Sequence, residues 1–435
     1  MVLEARRATV VLCSVLASWA QATPSAAGFQ CHSDVDLGNV TAAERKGFAV
    51  DDTTWRYCSS QIPVVWPNSL SGAPLTSLRL FKAWDTLWDE ADREVAWQNL
   101  KAFVTATGAK VLLGTPITCH PESDDAAWAW SKQLLEVLGA DHVMGLAIGN
   151  ELELLFSKAS FEDSVTPECI ERLWEGGGIW RHFSRVVAEF DAMGFGSVPV
   201  TSVFGGLALA GTSEKPFYEK SGKALVNSFL ENATRTYGNR YAWTWTTYPY
   251  FDPYEAMDAN TDDECSSALL TSLCWDLTCD GPKTIAYTRK KMKKFTGRTN
   301  DTLWIGETGW SSPRPKSLTT EMKNCLAWSS NTSFEEFYRH FLDWDLSVPG
   351  QEPADHVFYF TLRDSLNFGA SEHFGVVEHC DASTCKLRSE GYTAPTTTRT
   401  TTVFDWGIPT STAFKPVLTS LVVVLIGSAL WAARF

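Results

Sequence analysis

Two segments of this 435-residue chain each set a glutamate directly behind an apolar run: Gly145-Leu146-Ala147-Ile148-Gly149-Asn150-Glu151 and Trp304-Ile305-Gly306-Glu307-Thr308-Gly309-Trp310. If each run is a buried strand, each carboxyl stands at a strand end. Two carboxylates facing each other across a cleft can break a glycosidic bond. One attacks the anomeric carbon and the other protonates the leaving oxygen, with about 5–5.5 Å between them when configuration is retained. The acid member needs a raised pKa, which apolar aromatic surroundings and a nearby carboxylate both favour.

Four further residues are candidates around this pair. Tyr248, at a strand end, is placed to donate its hydroxyl to Glu307, with a merely packed tyrosine as the alternative. Arg79 is a candidate ion-pair partner of Glu307, catalytic or structural. Asn150 precedes the first glutamate. Trp310 is the expected stacking platform for a sugar ring, whereas Trp84, Trp88, Trp128, Trp130 and Trp275 are read as packing or rim residues. Glu153 shares the alternation of Glu151 but lies beyond the strand end and is read as a loop carboxylate.

The elements that must position these groups alternate. Strands are predicted at Gly47–Val50, Ser77–Phe81, Lys110–Gly114, Val143–Ile148, Val198–Ser202, Tyr241–Tyr248, Leu303–Gly306 and His356–Thr361. Helical periodicity fills the intervals Asp89–Thr107, the stretch behind Ser123-Asp124-Asp125 as far as Gly139, Pro167–Met193, Ser221–Tyr237, Pro282–Thr296 and Phe334–Leu346. Gly108 is placed for a C-cap, and Gly176-Gly177-Gly178 interrupts the long helical stretch. Eight strands separated by helices is the count of an α/β fold of the (β/α)8 TIM-barrel type, a single catalytic domain with its chemistry at the strand C-termini. A doubly wound open sheet is disfavoured because no Gly-rich phosphate loop follows the first strand. Pro63, Pro67 and Pro74 forbid a long helix in the first βα unit, and no clear helix follows Thr361.

Several of these segments resemble glycoside hydrolase family 17, the endo-β-1,3-glucanases and related glucanosyltransferases. The similarity lies in Ile148-Gly149-Asn150-Glu151 and in Ile305-Gly306-Glu307-Thr308-Gly309-Trp310-Ser311-Ser312. Further similar segments are Ser77-Leu78-Arg79-Leu80-Phe81, Tyr248-Pro249-Tyr250-Phe251, Phe358-Tyr359-Phe360 through Asp364, and Phe374-Gly375-Val376. The resemblance implies a (β/α)8 barrel with Glu151 as acid/base on strand four, Glu307 as nucleophile on strand seven, and Asn150 near the sugar 2-hydroxyl. It implies a β-glucan substrate, with hydrolysis or transfer to another sugar as the two outcomes. A non-catalytic glucan-binding protein on the same fold is the remaining alternative. Thr246 departs from the family's usual asparagine, Ser312 displaces the usual proline, and Asp258–Gly281 is a Cys-bearing insertion.

The ends read differently. Arg6 and Arg7, the apolar stretch Ala8–Ala20 and Ala20-Gln21-Ala22 fit a signal peptide over residues 1–22. The catalytic domain is expected over 23–388, a Thr-rich stalk over 389–414, and an apolar tail over 415–435. That tail is a glycolipid-anchor signal or, alternatively, a single membrane-spanning helix. Of 11 cysteines, Cys13 leaves with the signal, and an even ten suits disulfides in an exported protein. Sequons begin at Asn39, Asn232, Asn300 and Asn331. Neither a metal nor a cofactor is expected, since no zinc-type cysteine spacing and no His-Glu-x-x-His occurs. The net charge of −14 argues against a nucleic-acid groove. The expected setting is a membrane-anchored monomer acting on polysaccharide at the cell surface. The 19 tryptophans fit either an aromatic core or a sugar-handling surface.

Overall fold

In the computed structural model, the described residues are 39–387 apart from 60–61, 68, 70, 85–87, 160–161, 252–261, 313–321, 323, 365–372 and 379–384. The expected signal peptide, stalk and tail lie outside them. Among the described residues no helix is long and apolar enough to cross a membrane.

Eight strands close into a barrel: β1 Lys46–Val50, β2 Ser77–Leu80, β3 Lys110–Thr115, β4 Val143–Asn150, β5 Val200–Phe204, β6 Trp243–Thr246, β7 Leu303–Thr308 and β8 His356–Tyr359. Every neighbouring pair is parallel, and β1 closes on β8. Strands covered on both faces need apolar residues at nearly every position, which is why these segments read as continuous apolar runs. Leu112, Ala147, Val203, Trp304 and Phe358 form the packed layer inside the barrel. Gly145 makes room for it: a Cβ there would stand 2.9 Å from the Trp304 ring. The larger core lies between the strands and the surrounding helices.

Among the described residues the α-helices are α1 Asp52–Tyr57, α2 Glu90–Thr107, α3 Pro121–Leu138, α4 Leu155–Lys158, α5 Pro167–Leu173, α6 Gly178–Phe190, α7 Val226–Tyr237, α8 Asp262–Ser272, α9 Asp280–Thr296 and α10 Asn331–Asp343. Asp89 caps α2 by accepting from Asp92 N at 2.8 Å, and Gly108 ends it in the left-handed region. Two expectations are corrected. Helix α3 begins at Pro121, and Asp124 does not cap it but turns back to accept from the Thr118 amide and hydroxyl, both at 2.8 Å. The fifth strand starts at Val200, not Val198.

Disulfides join Cys119 to Cys169, Cys265 to Cys325, and Cys274 to Cys279, and Cys58 and Cys385 are also disulfide-bonded. Asn39, Asn300 and Asn331 are exposed and Asn232 is half-buried. Trp88, Trp128 and Trp275 are buried, while Trp84 and Trp130 meet at the margin as a tilted pair with ring centres 5.1 Å apart.

Candidate active site

The candidate pair meets at the C-terminal mouth of the barrel, where strand irregularities set the aim. Strict alternation would put Glu307 on the face opposite Gly306. Instead the pairing of β7 with both neighbours slips by one residue, between Ile305 and Glu307 on the β6 side and between Ile305 and Thr308 on the β8 side. Such a bulge reverses the alternation and re-aims the side chains beyond it. Gly306 also leaves the space that Arg79 occupies, since a Cβ there would lie 2.9 Å from Nη1.

At the end of β4 the register slips again, between Ala147 and Asn150. Gly149 has φ +81° and Glu151 itself has φ 49°, in the left-handed region that a side chain rarely adopts. Two consecutive residues, Asn150 and Glu151, thereby turn toward the same mouth. The Glu151 amide is anchored by donating to Val203 O at 2.8 Å. Held by the surrounding structure, strain of this kind fixes one orientation of the carboxyl.

Arg79 links the two strand ends. Its Nη1 donates to Glu307 Oε1 at 2.7 Å and its Nη2 to Asn150 Oδ1 at 2.6 Å. Its guanidinium also lies over the Phe81 ring, 4.4 Å from the centre. Both Arg79 and Glu307 are nearly excluded from solvent, at 2% and 6% exposure, so the pair is weakly screened. The Tyr248 hydroxyl donates to Glu307 Oε2 at 2.5 Å, giving each carboxylate oxygen a donor. The Tyr248 ring is set edge-on to Phe251, Phe360 and Phe374.

Glu151 has different surroundings. Its Oε1 accepts from Thr246 Oγ1 at 2.7 Å, and no basic side chain is in ion-pair contact with it among the described residues. Burial, followed by the charge of Glu307, pushes its carboxyl up to about 7, against the Thr246 hydrogen bond and the more distant Arg79 and Lys158 charges. One carboxylate is therefore ion-paired and fixed, while the other holds a proton near neutrality. This division of roles suits a nucleophile and a proton donor.

Arg79, Asn150, Glu151, Tyr248 and Glu307 thus come together. Trp310 does not join them as a sugar platform, which corrects the sequence expectation. It has no exposed surface, its Nε1 donates to Trp328 O at 2.8 Å, and Tyr250, Trp328 and Phe337 crowd its ring. The strand-end bulge and the aromatic layer behind β7 turn the indole into the core. Two polar residues escaped sequence reasoning. Thr246 stood out only as a departure from a family pattern. Glu153, read as a loop carboxylate, is fully buried beside Glu151.

No family model matches the chain, and neither does any characterised protein sequence. Distant structural likenesses exist. A structure described as one of two plant β-glucan endohydrolases is 16% identical, with a TM-score of 0.46 over 70% of this chain and 88% of that chain. An endo-laminarinase from Formosa Hel1_33_131 is 15% identical, with a TM-score of 0.42 over 70% of this chain and 74% of the other. A family 1 β-glucosidase from Thermotoga maritima is 12% identical, with a TM-score of 0.40 over 79% and 94%. At these scores the likenesses assign no chemistry, which is read from the residues of the site.

Proposed function

We propose that the protein is a retaining, endo-acting glycoside hydrolase of β-1,3-glucan, with Glu307 as nucleophile and Glu151 as acid/base. The observation that carries this reading is the asymmetry of the two carboxyls at one barrel mouth. Glu307 is held by Arg79 and Tyr248, whereas Glu151 has, among the described residues, only the Thr246 hydroxyl as a side-chain hydrogen-bond partner, and its carboxyl is raised to about 7.

In the first step a Glu307 oxygen bonds to the anomeric carbon. The glycosidic C–O bond breaks, and the Glu151 proton passes to the departing oxygen. In the second step the Glu151 carboxylate takes a proton from water, whose oxygen displaces Glu307 from the anomeric carbon. Arg79 and Tyr248 orient the nucleophile throughout. Exposed Asn150, held by Arg79, is available to a sugar hydroxyl. The β-1,3 linkage is supported by the resemblance of the two glutamate segments to family 17. An exported, membrane-anchored setting is supported by the signal-like and tail-like ends and by the disulfides.

The test is a panel of β-1,3-, β-1,4-, mixed-linkage and β-1,6-glucans with product chain lengths resolved. Internal cleavage of β-1,3-glucan to short oligosaccharides is expected. Products longer than the substrate would instead identify transfer to an acceptor sugar. Cleavage confined to β-1,4- or β-1,6-glucan would overturn the linkage, and binding without cleavage would overturn catalysis.

A further inference from the structure

Beside the catalytic pair lies a third carboxyl. Glu153 has no solvent-exposed surface. Its Oε1 accepts from the Gly205 amide at 2.6 Å, and its Oε2 has no hydrogen-bond partner among the described residues. Gly205 brings the two carboxyls together. A side chain at that position would begin 2.9 Å from Glu153 Oε1 and 3.0 Å from Glu151 Oε1, so only a bare Cα fits between them.

The charged groups on the elements packed around Glu153 do not neutralise it. Lys158 on α4 is exposed and acts on Glu151, and the Lys223 ammonium sits over the Phe156 ring at 4.3 Å. Arg79 on β2 is engaged with Glu307 and Asn150, and Glu307 faces Glu151 from β7. A buried carboxylate with one unpartnered oxygen and no cation is costly, whereas a protonated carboxyl is tolerated.

We propose that Glu153 is a positioning residue for the acid/base step, a buried carboxyl that holds a second proton beside Glu151 across the bare Cα of Gly205. The proposal rests on the reading of Glu151 as acid/base. Burial first, and the Glu151 charge second, push Glu153 up to about 8. It therefore keeps its proton when Glu151 gives one to the leaving group. The new Glu151 carboxylate then faces a neutral acid on this side, while Glu307, by then esterified to the sugar, carries no charge to oppose it. A sequence signal exists in Glu151-Leu152-Glu153, but alternation alone does not distinguish a buried carboxyl from a solvated one.

Two measurements test this. The first is pH-difference infrared spectroscopy of the protonated-carboxyl stretch from about pH 5 to about pH 10, which needs no substrate. Two titrating carboxyls, half-buried Glu151 and buried Glu153, are expected in the wild type. Glu151→Gln should retain one of them, and Glu153→Gln, which keeps an acceptor for Gly205, should lose one. A Glu151→Gln protein with no carboxyl titrating in the neutral-to-alkaline range overturns the proposal, even if Glu153→Gln fails to fold.

The second measurement is the alkaline limb of log kcat/KM. Its slope should be about −2 in the wild type and about −1 in Glu153→Gln, leaving the variant about tenfold more of its optimum one pH unit beyond the second ionisation. A wild-type slope of −1 also overturns it. If no glycan is cleaved at all, the glycosidase reading fails, while the infrared result still decides where the proton of Glu153 sits.

Discussion

The hydroxyl of Thr246 donates to Glu151 at 2.7 Å from the same β6 residue whose backbone stands in register with Glu307 on β7. One residue therefore ties the Glu151 carboxyl to the strand that carries Glu307. Its hydrogen bond favours the ionised form of Glu151 and opposes the upward push of burial. Thr246→Val keeps the shape and removes the donor. The alkaline limb of kcat/KM is expected to move up by about one pH unit, the equivalent of a hydrogen bond of about 1.4 kcal/mol. An unmoved limb in the folded variant would exclude this role for Thr246.

The raised carboxyl of Glu151 has a consequence for stability. Its folded-state pKa of about 7 exceeds the reference value of 4.5, so the native state holds the proton more tightly than the unfolded chain. The stabilisation is fully present below about pH 4.5 and is lost as pH rises through about 7, amounting to on the order of 3 kcal/mol. Glu151→Gln has no such loss. Its thermal midpoint should exceed that of the wild type by several degrees at about pH 8 and match it near pH 4. Equal midpoints at both pH values would argue against a proton on half-buried Glu151.

Tyr248→Phe removes the donor to Glu307 Oε2 while leaving the ring among Phe251, Phe360 and Phe374. A hydrogen bond to a charged group is worth about 1.5–3 kcal/mol, so kcat should fall by about 10- to 100-fold. KM should change little, because the hydroxyl is committed to the carboxylate. Steady-state kinetics on a β-1,3-oligosaccharide separate this from a sugar-binding role, in which KM would carry the loss.

Trp310 is expected to matter for folding and not for binding. Trp310→Leu removes ring contacts with Tyr250, Trp328 and Phe337 and leaves Trp328 O without its donor. A loss of about 3 kcal/mol in denaturant unfolding is expected, with KM near the wild-type value. A large rise in KM with unchanged stability would restore the stacking role.

Much of this arrangement was legible in the residue pattern. The apolar runs before Glu151 and Glu307 follow from burial on both strand faces, and the alternation with helices specifies the barrel. Arg79 could be placed near Glu307 because it occupies a barrel strand, and Tyr248 because it lies just beyond the end of one, where the sixth strand stops at Thr246 and not at Tyr248. What alternation does not encode is the slip in register at Gly306 and at Gly149, which decides the direction of each carboxyl. Trp310 was misplaced because the bulge on β7 and the layer around Trp328 are set by tertiary packing. Glu153 was misjudged for a related reason. Its burial depends on the close approach of Gly205, a residue distant in sequence.

The division of labour between Glu151 and Glu307 is tested most directly by azide rescue of Glu151→Ala and Glu307→Ala on an aryl β-1,3-glucoside with a good leaving group. Azide should restore turnover of Glu151→Ala and give the β-glycosyl azide, because the Glu307 intermediate still forms and is intercepted on the same face. In Glu307→Ala it should give the α-glycosyl azide, by direct displacement in place of the missing carboxylate. The reversed pair of products, or unimpaired hydrolysis in either variant without azide, would contradict the assignment.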